Sequence, residues 1–230
     1  MTDTALHAPP AHSTSTGLSN SKLAMWVYLG SDCLLFGTLI STYLLLRHRS
    51  TSGPQPGDVF DIPFTSVSSF VLLMSSLTMA LAVAAIVRGD VRRNQVWLVT
   101  TAFLGATFIG GQVYEFTVFT HEGLNLSTSV AASSFFVLTG FHGMHVTVGI
   151  LWLLSLVGIS LRGKLPAEKH LQVEIAGLYW HFVDIVWIVI FTLVYLVPYP
   201  DGPAGTAEAV PQAFLRLMTV GERFLAALPF

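Results

Sequence analysis

Charged side chains are scarce in this chain. Asp, Glu, Lys and Arg make up 10% of its 230 residues, against about 25% in an ordinary soluble domain. The formal net charge is −2, so a nucleic-acid partner has no electrostatic basis. A single cysteine, Cys33, excludes an internal disulfide and a thiolate zinc site. No serine elbow is present, nor a cysteine near a histidine in sequence, so a nucleophile–base pair is lacking. Internal repeats and the two similar halves of a transporter are missing as well.

What fills the chain instead is hydrophobic: 53% of residues are apolar or aromatic. Five nearly uncharged runs are each long enough to cross a bilayer as a helix. They cover residues 23–46, 66–87, 96–119, 133–161 and 175–197, and predict an all-α membrane protein, a bundle of five transmembrane helices. The first 21 residues are polar and lack the basic start and apolar core of a cleaved signal peptide. Residues 1–22 are expected to form a disordered tail, 23–199 the membrane domain, and 200–230 a C-terminal extension. Within that extension Phe214, Leu217, Met218, Phe224, Leu225 and Leu228 recur at helical spacing opposite Arg216, Glu222 and Arg223. This predicts an amphipathic helix lying on the membrane or a partner.

Loop charges set the orientation. Lys22, Arg88, Arg92, Arg93, Arg162, Lys164 and Lys169 lie on the N-terminal side, and Arg47, Arg49, Arg216 and Arg223 on the other. The N-terminus is therefore expected in the cytoplasm, although Arg47 and Arg49 argue the other way.

Polar residues inside the runs are the candidate site. His142 and His145 lie three apart in the fourth run, and His181 and Asp184 repeat that spacing in the fifth. An ionisable group at the membrane centre costs about 2.5–3.5 kcal/mol on insertion scales, so something must offset it. Facing side chains in a bundle could hold a metal or relay protons. Alternatively the imidazoles hydrogen-bond and lock the fourth helix against the fifth. Thr139, Gly143 and Thr147, spaced by four, form a small-residue stripe that supports helix packing. Asp32 in the first run is either a proton-accessible or lipid-facing acid or an interhelix contact, and is expected to be neutral or paired. Glu115, about a turn from the end of the third run, is expected to be solvated at the interface. Gly105, Gly110 and Gly111 are expected at close helix contacts.

At these residues the chain resembles subunit III of the haem–copper oxidases. SSFFVLTGFHGMHVTVG (residues 133–149) and YWHFVDIVW (179–187) are close to that family's signatures, and SDCLLFG and GQVYEF follow in the same order. The five-helix count looks like the shorter bacterial form, which lacks two N-terminal helices. The resemblance implies a multi-pass subunit of the bacterial cell membrane that contains no catalytic, cofactor or metal residue of its own. Haems and copper are then expected in partner chains: subunit I chiefly, with subunit II and smaller subunits. It also implies bound phospholipid, held in the family in a cleft between the first two helices and the rest, and support of proton uptake. Asp32 stands where the longer forms usually carry glutamate. GFHG and YWHFVD look like the cytochrome c oxidase branch, whereas SDCLLFG and DVFDIPF look like the bo-type quinol oxidase branch; the first is favoured. Three functions from different classes follow: an accessory oxidase subunit, a stand-alone transporter using Asp32, Glu115 and Asp184, or a metal-dependent membrane enzyme built on His142, His145, His181 and Asp184. The amphipathic extension suggests docking to another respiratory complex.

Overall fold

The computed structural model describes residues 19–47 and 60–197. Its helices are α1 (Asn20–Leu46), α2 (Ile62–Val87), α3 (Val91–His121), α4 (Val130–Leu161) and α5 (His170–Ile190). The last continues into a wider π turn, Phe191–Leu196, and a short 3₁₀ turn, Ala167–Lys169, precedes it. All five are long and apolar enough to span a membrane. The expected C-terminal amphipathic helix, and the tail before residue 19, lie outside the described residues.

The helices start earlier than hydropathy alone suggests, and in α1 to α4 a polar capping residue extends the helix beyond its apolar run. Ser19, Asp61, Asp90 and Ser129 each accept a hydrogen bond from the backbone amide three residues on, satisfying a donor that the first turn leaves open. Thus α1 begins at Asn20, inside the stretch read as tail, and α3 begins five residues before its apolar run. The ends of α2, α3 and α4 share one device. At Gly89 (φ 82°) the chain turns left-handed, and Gly89 and Asp90 donate back to Ile86 and Ala85. Gly123 and Gly163 close α3 and α4 in the same way.

Packing is uneven. α2 and α3 form the most extensive pair, and α5 contacts α1, α2 and α4. Half of the most hydrophobic stretch of α5 is buried, against 22% for α1, which leans on α4 and α5 alone among the larger contacts. Small residues decide where helices close up. A Cβ on Gly105 would lie 2.6 Å from the Trp180 ring, and one on Gly143 would lie 2.6 Å from Gln112 Oε1. Trp180 and Gln112 therefore fill space that glycine leaves on α3 and α4. Gly111 likewise meets α2 at Ser68, whereas Gly110 faces open space.

Candidate functional site

Tyr28, Asp32 and Phe36 follow one another at four-residue steps along α1, on the face turned to α4 and α5. Phe36 sets its edge against the His145 ring (centroids 5.0 Å) and Tyr28 stacks on Tyr179 of α5 (6.3 Å). Between them Asp32 Oδ2 lies 3.7 Å from His145 Nε2. Asp32 is 7% exposed and His145 8%.

The backbone of α4 fixes the imidazole. His145 Nδ1 lies 2.7 Å from the carbonyl of Phe141. A carbonyl can only accept, so Nδ1 carries a proton. Nε2 is the ring nitrogen turned to Asp32. At 3.7 Å the two groups stand at ion-pair distance rather than in a hydrogen bond. Tyr179 completes the arrangement by donating its hydroxyl to the carbonyl of His145 (2.9 Å). This is a buried acid–base pair on three helices, at the edge of the bundle least covered by protein.

The remaining polar residues go elsewhere. His142 is fully buried and stacks on Trp187 (centroids 4.8 Å, interplanar angle 21°), with Phe108 set edge-on. Neither of its ring nitrogens has a hydrogen-bond partner among the described residues. His181 turns to α2, its Nδ1 2.7 Å from the Ser76 hydroxyl; the buried Asp184 carboxyl lies on the same side, but neither of its oxygens has a hydrogen-bond partner among the described residues. Of the four residues read from the α4 and α5 signatures, His142 alone meets the opposite helix through its ring. His145 reaches α1, and His181 and Asp184 reach α2. Among the described residues no three His, Cys, Asp or Glu side chains gather as a metal set would.

Glu115 departs from the expectation of interfacial solvation. It is buried, accepts a hydrogen bond from Thr65 on α2 (2.7 Å), and lies 3.5 Å from the Tyr195 hydroxyl in the π turn of α5. Gln112, one turn earlier, donates to the carbonyl of Thr139 on α4. Closeness to a helix end misled because α2 begins and α5 ends there, and together they cover the carboxyl.

Sequence reasoning missed the hydroxyls of α2. Ser69 and Ser75 accept the indole N–H groups of Trp187 (2.8 Å) and Trp180 (2.9 Å), and Thr78 pairs with Thr101 on α3. The available signal was the recurrence of Ser and Thr through an otherwise apolar run, which a count of formal charges does not register.

Residues 12–199 match the family model described as cytochrome c oxidase subunit III. The chain is 41% identical over 192 residues to a quinol oxidase subunit 3 of Bacillus spizizenii, covering 83% of this chain and 93% of that one. It is 39% identical over 190 residues to a cytochrome c oxidase subunit 3 of Bacillus sp. strain PS3, with 83% and 91% covered. Against a cytochrome bo(3) ubiquinol oxidase subunit 3 of Pseudomonas aeruginosa the identity is 40% over 186 residues, with 81% and 88% covered. Five spanning helices and bacterial relatives of this kind place it among multi-pass bacterial membrane proteins. The chain belongs to the subunit III family of the haem–copper oxidases.

Proposed function

We propose that the chain is the accessory, cofactor-free subunit of a proton-pumping terminal oxidase, packed on subunit I near subunit II and smaller chains. Oxygen chemistry, with the haems and copper, belongs to those partners. The observation that carries the reading is the Asp32–His145 pair. It supports the reading because an acid and an imidazole lie 3.7 Å apart on the bundle's thinly covered side, where we expect phospholipid or the neighbouring subunit to meet α1. Such a pair suits a subunit that sustains proton uptake and lipid contact, since it can take up or release a proton with little movement.

Purification through a tag on this chain, followed by a visible spectrum, tests the accessory role. Haem is expected to arrive with the chain in stoichiometric amount; a chain arriving alone and spectrally silent would sink the proposal. For the pair, Asp32→Asn is expected to assemble and to begin turnover at the normal rate. Its bound-lipid content or its rate of inactivation during turnover then shifts from the wild type's. Unchanged lipid and unchanged inactivation would remove Asp32 from the function.

We take cytochrome c as the electron donor, from the GFHG and YWHFVD signatures. A quinol donor is the second reading, favoured by quinol oxidase relatives at the same level of identity. Haem a in the purified complex supports the first, and haems b and o the second. The extension after residue 199 is proposed to dock on a partner, including another respiratory complex. Deleting residues 202–230 should then weaken that association while leaving the oxidase assembled.

A further inference from the structure

The turn joining α2 to α3 carries a concavity of about 540 Å³ that the Asp32 pair does not touch. Arg88, Arg92 and Arg93 line one end of it. The acid among them, Asp90, is already engaged: its Oδ1 caps α3 through the Arg93 amide (3.0 Å) and its Oδ2 pairs with the Arg93 side chain (3.2 Å). Arg88 and Arg92 are exposed and have no ion pair among the described residues. The other end is apolar. Leu81 on α2 and Val96 on α3 carry the wall back towards the membrane-spanning parts of both helices, and half-buried Trp97 anchors it against the core.

We propose that this concavity binds an anionic phospholipid, its phosphate on Arg88 and Arg92 and an acyl chain on Leu81, Val96 and Trp97. Guanidinium groups hold phosphate oxygens two at a time. Two spans end here, which sets the arginines at headgroup depth and Trp97 in the usual aromatic belt. An arginine cluster that only directs insertion requires no groove and no apolar continuation, and a soluble acidic peptide gains nothing from a wall running into the bilayer. The site is separate from the lipid contact proposed at Asp32 and rests on the bundle being membrane-embedded.

The test uses the detergent-purified, delipidated complex titrated with a fluorescent phosphatidylglycerol, with phosphatidylcholine and inorganic phosphate as comparators. The Arg88→Gln/Arg92→Gln pair is expected to weaken phosphatidylglycerol binding about tenfold per arginine, the scale of a hydrogen bond to a charged group. The Arg162→Gln/Lys164→Gln pair removes two exposed cations at another turn on the same side and should cost about fivefold per residue or less. Replacing both groove arginines by lysine keeps the charge and should fall between these results. Equal losses from both glutamine pairs, or no loss from the groove pair, would overturn the site. So would binding of phosphatidylcholine as tight as phosphatidylglycerol, or displacement of the lipid by millimolar phosphate. Haem retained by each preparation reports the accessory role independently, so either idea can fail without the other.

Discussion

His142 combines full burial with two unpartnered ring nitrogens and a face stacked on Trp187. A neutral imidazole keeps one N–H donor, and leaving it unsatisfied in the interior costs about 1–3 kcal/mol. Packing alone does not call for a histidine here. A phenylalanine would keep the stack and remove the orphan donor. His142→Phe is therefore expected to leave stability unchanged or raise it by about 1 kcal/mol, whereas His142→Ala should lose about 2–4 kcal/mol to a cavity. Thermal unfolding of the purified complex, followed by helical circular dichroism, measures both. If His142→Phe is as destabilising as alanine, the imidazole has a partner that aromatic stacking does not replace. His145 differs, because one of its ring nitrogens is hydrogen-bonded to the Phe141 carbonyl and the other lies 3.7 Å from the Asp32 carboxyl. Two histidines three positions apart thus have opposite relations to their surroundings.

Helix α2 supplies hydroxyls and α5 supplies the groups that need them, so the α2–α5 contact is a polar seam in an apolar bundle. Trp187, Trp180 and His181 bond to Ser69, Ser75 and Ser76, and Asp184 lies beside Ser76 without a hydrogen bond among the described residues. Removing one member leaves its partner buried without compensation, at about 1–3 kcal/mol. Ser76→Ala, which strips His181 Nδ1 of its partner, is expected to loosen the seam by that amount, seen as a lower unfolding midpoint and weaker retention of the subunit, and Asp184→Ala to loosen it through the cavity it leaves. Oxygen reduction in the complexes that do assemble should persist. A fully assembled Asp184→Ala complex without oxygen consumption would give the aspartate a role in turnover. If the two changes act through the same seam, the double variant should cost less than the sum of the singles. Hydropathy made the five helices legible, because a run of about 20 apolar residues has few alternatives to a span. It could not show where the polar residues point. Positions three apart on a helix differ by about 60° around the axis, enough for His142 to meet Trp187 while His145 meets Asp32. The expected clamp of α4 on α5 treated that spacing as a single face. Glu115 shows the complementary difficulty, since its solvation depends on α2 and α5 closing over it, and neither is near it in sequence.

At the scale of the whole molecule, five spans put the two ends of the bundle on opposite sides of the membrane. The α2–α3 and α4–α5 turns share the side of α1's first residue, and the α3–α4 turn lies opposite. Seven of the eleven Lys and Arg residues belong to the first side, and on that count we propose that it faces the cytoplasm. Arg47 was one of the two residues that opposed this count. It is 6% exposed and sits at the C-terminal end of α1, where the helix dipole favours a cation. The fold thus gives Arg47 a structural reason to be there, independent of orientation. Cys33 is the chain's single cysteine, so a Cys33→Ser background permits clean labelling. In intact cells an impermeant maleimide should modify Glu122→Cys, placed beside the α3–α4 turn, and should spare Lys164→Cys in the α4–α5 turn. Opening the membrane should bring Lys164→Cys to the same level of labelling. The reverse pattern would invert the bundle, and with it the leaflet whose anionic lipid reaches Arg88 and Arg92. The groove itself would be unaffected, because its chemistry depends on the α2–α3 turn rather than on which compartment that turn faces.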